Sequence, residues 1–197
     1  MVKLTKNELK KQKDSLKRFE RYLPTLQLKK QQLQMVIRQV EHEYDALKRE
    51  RDKLRKDLDR WIGVFNDGID LTPYAEVEKI DTSLGNIAGI DIPVFEDLHF
   101  VDRRWSVLDT PPWVDAGVQA LREMLVYEAR IKILKVQLRR LGDELRTTTQ
   151  RVNLFEKVKI PETRENIRMI QIYLGDQQTA AVVRGKIAKR NLVKAES

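Results

Sequence analysis

His42 stands between Glu41 and Glu43, His99 lies between Asp97 and Asp102, and Asp57 and Asp59 are two apart. These are the groups whose types and spacing suggest metal binding or acid–base chemistry. None of them converges. Neighbours one or two apart on a helix point in different directions, so Glu41, His42 and Glu43 form no cage, and Asp57 and Asp59 share no proton. His99 would need further ligands before an ion stayed bound. The stretch LGNIAGID at 84–91 has glycines four apart but lacks the Gly-Lys-Ser/Thr ending of a phosphate-holding loop. The 197 residues include no cysteine, which excludes thiolate catalysis, disulfides and Cys-bound zinc or iron–sulfur sites. The expectation is a protein that is not an enzyme and carries no cofactor and no metal.

What remains is charge and pattern. Charged residues make up 35% of the chain and hydrophobic ones 41%, which suits long exposed helices better than a thick core. Residues 1–60 hold 18 Lys+Arg against 10 Asp+Glu, residues 61–113 hold 3 against 10, and residues 114–197 hold 17 against 10. Two basic flanks therefore enclose an acidic centre. Basic flanks can neutralise phosphates, but acids are interspersed along both, and the aromatic residues fall on heptad or central positions rather than on a base-stacking face. No nucleic-acid partner is expected. No window approaches 18 apolar residues, so no insertion into a membrane is expected. The start, MVKLTKNELKKQKD, lacks a signal peptide's apolar stretch, which points to the cytoplasm.

The flanks carry heptads. In the first, Leu9, Leu16, Leu23, Ile37, Tyr44 and Leu58 belong to one seven-residue series, and Phe19, Leu26, Leu33, Val40, Leu47, Leu54 and Trp61 to the other. Over the full run from Val2 to Phe65, 15 of 19 such positions are apolar. In the second flank the series are Met124, Ile131, Leu138, Leu145, Val152 and Tyr127, Leu134, Leu141, Thr148, Phe155. A sustained repeat of 3.5 drives a left-handed supercoil. Pro24 should kink or loosen the first helix. Pro161 should interrupt the second, after which Ile167, Ile170 and Leu174 resume the stripe in a new phase.

Neither stripe can be buried alone, and a chain that leaves one long helix and starts another most simply folds back. With Phe65 near Asp115, residue i would face about residue 180 − i and leave a C-terminal overhang of about 19 residues, in a rod set by the helical rise. The overhang would present Arg184, Lys186, Lys189, Arg190 and Lys194 at the same end as Lys3, Lys6, Lys10, Lys11 and Lys13. Between the flanks, Ile80, Thr82 and Leu84, then Ile90, Ile92 and Val94, alternate with polar residues. This predicts a short β-hairpin at the acidic end of the rod, turning at Gly85–Asn86, with Pro93 confined to an edge. Trp105 and Trp113, flanking Pro111–Pro112, are placed to pack it on the helix ends or on a partner. The expected fold is mainly α: a long antiparallel two-helix left-handed coiled coil with a short β-hairpin in the central connection. Its segments are residues 1–65, residues 66–113 and residues 114–197, together one elongated domain.

Three stretches carry a resemblance. LTKNELKKQKDSLKRFERYLPTLQLKKQQL at 4–33 is a basic, Leu-Lys-rich opening helix, GNIAGIDIP spans 85–93, and TTTQRVNLFEKVKIPETRENIRMIQIYL spans 147–174. Together they resemble the D subunit of the V-type (archaeal/bacterial A/V-type) ATPases, the central rotor shaft. The family pattern falls here on Thr148, Arg151, Val152, Asn153, Glu156, Ile160, Pro161, Thr163 and Ile167. Gln150 departs from it where a second Arg is common. Residues 95–113 match no part of the pattern.

The resemblance implies a non-catalytic central-stalk rotor that transmits torque between a catalytic ring and a membrane ion-translocating ring, peripheral to the membrane in the soluble sector. It implies that the A and B subunits of the ring receive the basic end, with Lys3, Lys6, Lys10, Lys11, Lys13, Arg184, Lys186, Lys189 and Arg190. The F subunit of the central stalk would bind the side toward the hairpin. The hairpin end, with Gly85, Asn86, Gly89 and Pro93, would sit in the funnel-shaped subunit that joins the stalk to the membrane ring. The residues alone leave two other readings open, a static coiled-coil adaptor or scaffold and a basic nucleic-acid-binding coiled coil.

Overall fold

Thr5 starts the first helix. Its Oγ1 accepts a hydrogen bond from the Glu8 backbone N–H at 3.2 Å, satisfying one of the donors a helix N-terminus leaves open. The computed structural model describes residues 2–62, 70–103, 111 and 113–195, with the backbone alone for 61–62 and 192–195. Helix α1 runs Lys6–Ile62 and passes through Pro24 without ending. A short turn at Thr72–Ala75 precedes strands β1 (Val77–Ile87) and β2 (Ile90–Phe100). Helix α2 (Trp113–Leu154) leads through a π-turn (Phe155–Lys159) into α3 (Ile160–Ala195). The fold is mainly helical with a two-stranded antiparallel hairpin, as expected. Contacts divide it into a middle unit, Gln31–Arg146, and a terminal unit of Met1–Lys30 with Thr147–Ser197.

In the middle unit the heptad positions meet. Leu33, Val40 and Leu47 of α1 are buried against Ile131, Leu134 and Leu141 of α2, and Ile92 of β2 completes the cluster. Each such side chain contributes about 1.5–3 kcal/mol when fully buried. The direction is antiparallel: Arg51 reaches Glu128, and Lys135 Nζ stands 5.9 Å from the centre of the Tyr44 ring. Both pairs lie within one residue of the expected register.

The hairpin differs from expectation in turn and place. Its turn is Ala88–Gly89, not Gly85–Asn86. Both turn residues have positive φ, 53° and 80°, the mirror-image geometry that matches strand twist. Gly85 sits inside β1 opposite Ile92, and Asn86 opposite Asp91. Gly85 has a close neighbour there: a Cβ would meet Val94 Cγ2 at 2.9 Å, so the valine side chain would have to shift. The strands have 11 residues each. The hairpin does not stand off as a cap on a helix end. Ile87, Ala88 and Ile90 at its tip pack against the α1–α2 cluster, because a two-stranded sheet cannot bury its apolar residues by itself. Pro93 does occupy an edge. Residue pairs in an antiparallel ladder alternate, and Pro93 falls where N–H and C=O face away from β1, so its missing donor costs no ladder bond.

In the terminal unit α1 packs against the end of α2 and the start of α3. The Phe19 and Phe155 rings are 5.2 Å apart, and Arg164 donates to Glu20 at 2.8 Å. Thr148, Val152, Ile160, Thr163 and Ile170 are buried along the seam. The regular α-helix is interrupted next to Pro161, as expected, by the π-turn Phe155–Lys159, and the buried stripe resumes beyond it in a new phase. Pro161 sits in the first turn of α3, directly after the π-turn, where the missing N–H is tolerated. From 171 to 191 no residue is buried, and only Leu174 and Ala180 are half-buried. Phe65 and Trp105 lie outside the described residues.

Candidate interaction surfaces

The hairpin is tied down by three side chains of α2. Gln137 Nε2 donates to the Pro93 carbonyl at 2.6 Å and Arg140 to the Asp91 carbonyl at 2.8 Å. Those two residues are three apart on one helical face, and the carbonyls are two apart on the free edge of β2, so the spacings match. Arg122 donates through two nitrogens to the Tyr74 carbonyl, at 3.0 and 2.8 Å, with its guanidinium 5.1 Å from the Phe100 ring centre. Asn86 locks the turn: its Nδ2 donates to Asp91 Oδ1 at 2.7 Å, and its Oδ1 accepts from Gly89 N–H at 3.1 Å.

The base of the hairpin carries a charge cluster. Lys79 and His99 both reach Asp81, and their hydrogen bonds hold its carboxyl below the usual aspartate range. The same contact pushes Lys79 upward. His99 is thus committed to Asp81. Among the described residues no group of three or more His, Cys, Asp or Glu could hold a metal ion. A groove of about 380 Å³ opens where Val77, Ile80 and Leu98 stand against Leu125, Ala129 and Lys132 of α2. Leu84, on the outer face of β1, is 81% exposed.

In the terminal unit, Lys3, Lys6, Lys10, Lys11, Lys13, Arg184, Lys186, Lys189 and Arg190 are all exposed. Their side chains take no part in an ion pair among the described residues. The resemblance motif divides by helical face. Thr148 and Val152 are buried in the seam, whereas Arg151, Asn153, Glu156 and Pro161 are exposed.

Over residues 8–190 the sequence matches the family described as the D subunit of ATP synthase. The chain belongs to that family. A V-type ATP synthase D subunit from Borreliella burgdorferi is 51% identical over 193 residues, covering 98% of this chain and 96% of that protein. Proteins of the same name from Chlamydia caviae and Chlamydia felis are 36% and 34% identical over 194 residues, covering 97% of this chain and 93% of each. Within this D-subunit chain, the tethers Gln137, Arg140 and Arg122 have no signal in the sequence pattern. Gln137 occupies a position that the heptad leaves polar, and nothing in the spacing announces a backbone carbonyl as its partner.

Proposed function

We propose that this chain is the central-stalk rotor subunit of a V-type ATPase/ATP synthase, carrying torque between the catalytic A/B ring and the membrane ring. The match to D-subunit proteins across nearly the whole chain carries the reading. The architecture suits it: a seam of buried heptad residues resists bending and twisting, and α3 continues past its last buried residue, Ile170, with an exposed basic segment. The chain is a subunit of the complex and makes no bonds itself. Residues Lys3 to Lys13 and Arg184 to Arg190 are assigned to the A and B subunits.

The groove beside Val77 and Ile80, with exposed Leu84, is the surface offered to the F subunit. The hairpin positions Gly85, Asn86, Gly89 and Pro93 are assigned to the funnel-shaped subunit. Arg151, Asn153, Glu156 and Pro161 are exposed and available to partners, whereas Thr148 and Val152 serve the seam. Among the described residues no helix is long and apolar enough to cross a membrane, in keeping with a place in the soluble sector, peripheral to the membrane on its cytoplasmic side.

The native chain has no cysteine, which makes a cross-linking test clean. Asp14 is exposed. Asp14→Cys is paired with a cysteine on a facing ring subunit, with Cα atoms within about 7 Å. Oxidation should then stall steady-state ATP hydrolysis, and reduction should restore it. Full hydrolysis by the cross-linked complex would make the chain a static adaptor instead.

A further inference from the structure

The apolar seam of the terminal unit changes phase once. At the end of α2 it passes Thr148, Val152 and Phe155 in steps of four and three. The same alternation would continue through Lys159, Glu162, Asn166 and Met169. The buried positions are instead Ile160, Thr163 and Ile170, each one residue later, with Asn166 and Ile167 both half-buried between them. The π-turn Phe155–Lys159 fills this gap. The Ile160 N–H donates to the Phe155 carbonyl, five residues back rather than four. Such a rung holds one residue more than an α-helical rung. In an uninterrupted α-helix, the seam beyond 159 would face about 100° away from α1.

We propose that this π-turn is a phase-keeping insert, locked in position by the sequence on both sides. It takes up one surplus residue so that the end of α2 and the start of α3 present a continuous apolar seam to α1. Its position has no near alternative. Shifted toward the C-terminus, the turn would bring Lys159, Glu162 and Asn166 into the seam in place of Ile160, Thr163 and Ile167. Shifted toward the N-terminus, it would bring Thr149, Asn153 and Glu156 in place of Thr148, Val152 and Phe155. Either move puts charged side chains into the seam in place of apolar ones or Thr163, which is unfavourable even for the Lys159–Glu162 ion pair.

Pro161 fits the same place. A residue without an N–H disturbs the ladder least where the rungs are already widened. Thr163 Oγ1 donates to the Lys159 carbonyl at 2.6 Å and gives that group a partner at the join. No residue of the turn is buried, so the surplus residue is carried on the outside.

Deleting Val158, which is 48% exposed, removes one residue at the insert and restores an unbroken heptad from Thr148 to Ile170. Deleting Arg168, within α3, removes one residue where no surplus exists. In the full chain, loss of Val158 should leave the melting temperature within about 2 °C of the parent, while loss of Arg168 should lower it by about 5 °C or more. Amide hydrogen exchange should show residues 160–170 equally protected in the parent and the Val158 deletion. A drop on deleting Val158 as large as that on deleting Arg168, or lost protection at 160–170, overturns the proposal. An Arg168 deletion that fails to fold counts as the larger loss, against which a folded Val158 deletion supports it.

Discussion

Gln137 Nε2 lies 2.6 Å from the carbonyl oxygen of Pro93, joining the middle of α2 to a residue 44 positions earlier in the chain. The glutamine is 7% exposed, so its amide has exchanged water for this one strand carbonyl. Among the polar contacts that hold the hairpin down, it is the most buried. Gln137→Ala should cost about 1–3 kcal/mol, because a half-buried acceptor loses its donor. Gln137→Glu should cost at least as much, since an ionised carboxylate has no proton to donate. Urea denaturation gives the stability, and amide exchange at residues 84–93 should rise in both variants.

The turn supplies a pair of opposite effects. Gly89 has φ of 80° and Ala88 has φ of 53°, a region where a Cβ is disfavoured by about 1–2 kcal/mol. Gly89→Ala should therefore destabilise by about 1 kcal/mol. Ala88→Gly should relieve strain and stabilise by up to about 0.5 kcal/mol, after the added freedom of the unfolded chain is subtracted. Denaturant midpoints that move in the same direction for both changes would refute this account of the turn.

Asp81 makes stability depend on acid. Its carboxyl is held below its ordinary value of 3.8 by hydrogen bonds from Lys79 and then His99. A group with a depressed folded-state value contributes stability above its unfolded value and loses it as pH falls through the folded one. The difference in melting temperature between the parent and Asp81→Asn should thus be full at pH 6 and shrink steadily below about pH 4. The contribution is small, because the cluster is exposed to solvent and screened by salt. A difference that persists unchanged at pH 2 would rule out the ionised carboxylate as its source.

Core and surface leucines should separate cleanly. Leu141 is fully buried against α1, and Leu141→Ala should cost about 2–5 kcal/mol through lost transfer energy and the cavity left behind. Leu28 belongs to the same hydrophobic class but is 55% exposed. Leu28→Ala should change stability by less than about 0.5 kcal/mol. Thermal and urea unfolding of the two variants test this together.

The two heptad seams are written in the residue order alone. A helix fixes which residues share a face, so Leu33, Val40, Leu47, Leu134 and Leu141 are legible as core from their spacing. The antiparallel pairing is legible too, since a connection between two long helices leaves little else. The family motif at 147–174 is readable as residue order. Its division into buried Thr148 and Val152 and exposed Arg151 and Asn153 follows from the same periodicity.

Where the hairpin turns and where it lies came from packing between distant segments. Gly85–Asn86 has the better turn-forming composition, since Ala88 carries a Cβ at positive φ, yet the chain turns at Ala88–Gly89. The choice falls to whichever register puts Ile92 into the α1–α2 cluster, a contact with residues far away in sequence. The same holds for Gln137 and Arg140, whose partners are backbone carbonyls that no side-chain pattern encodes. A period reports how a residue sits on its own element, whereas a partner on another element is set by packing between segments that the local pattern does not contain.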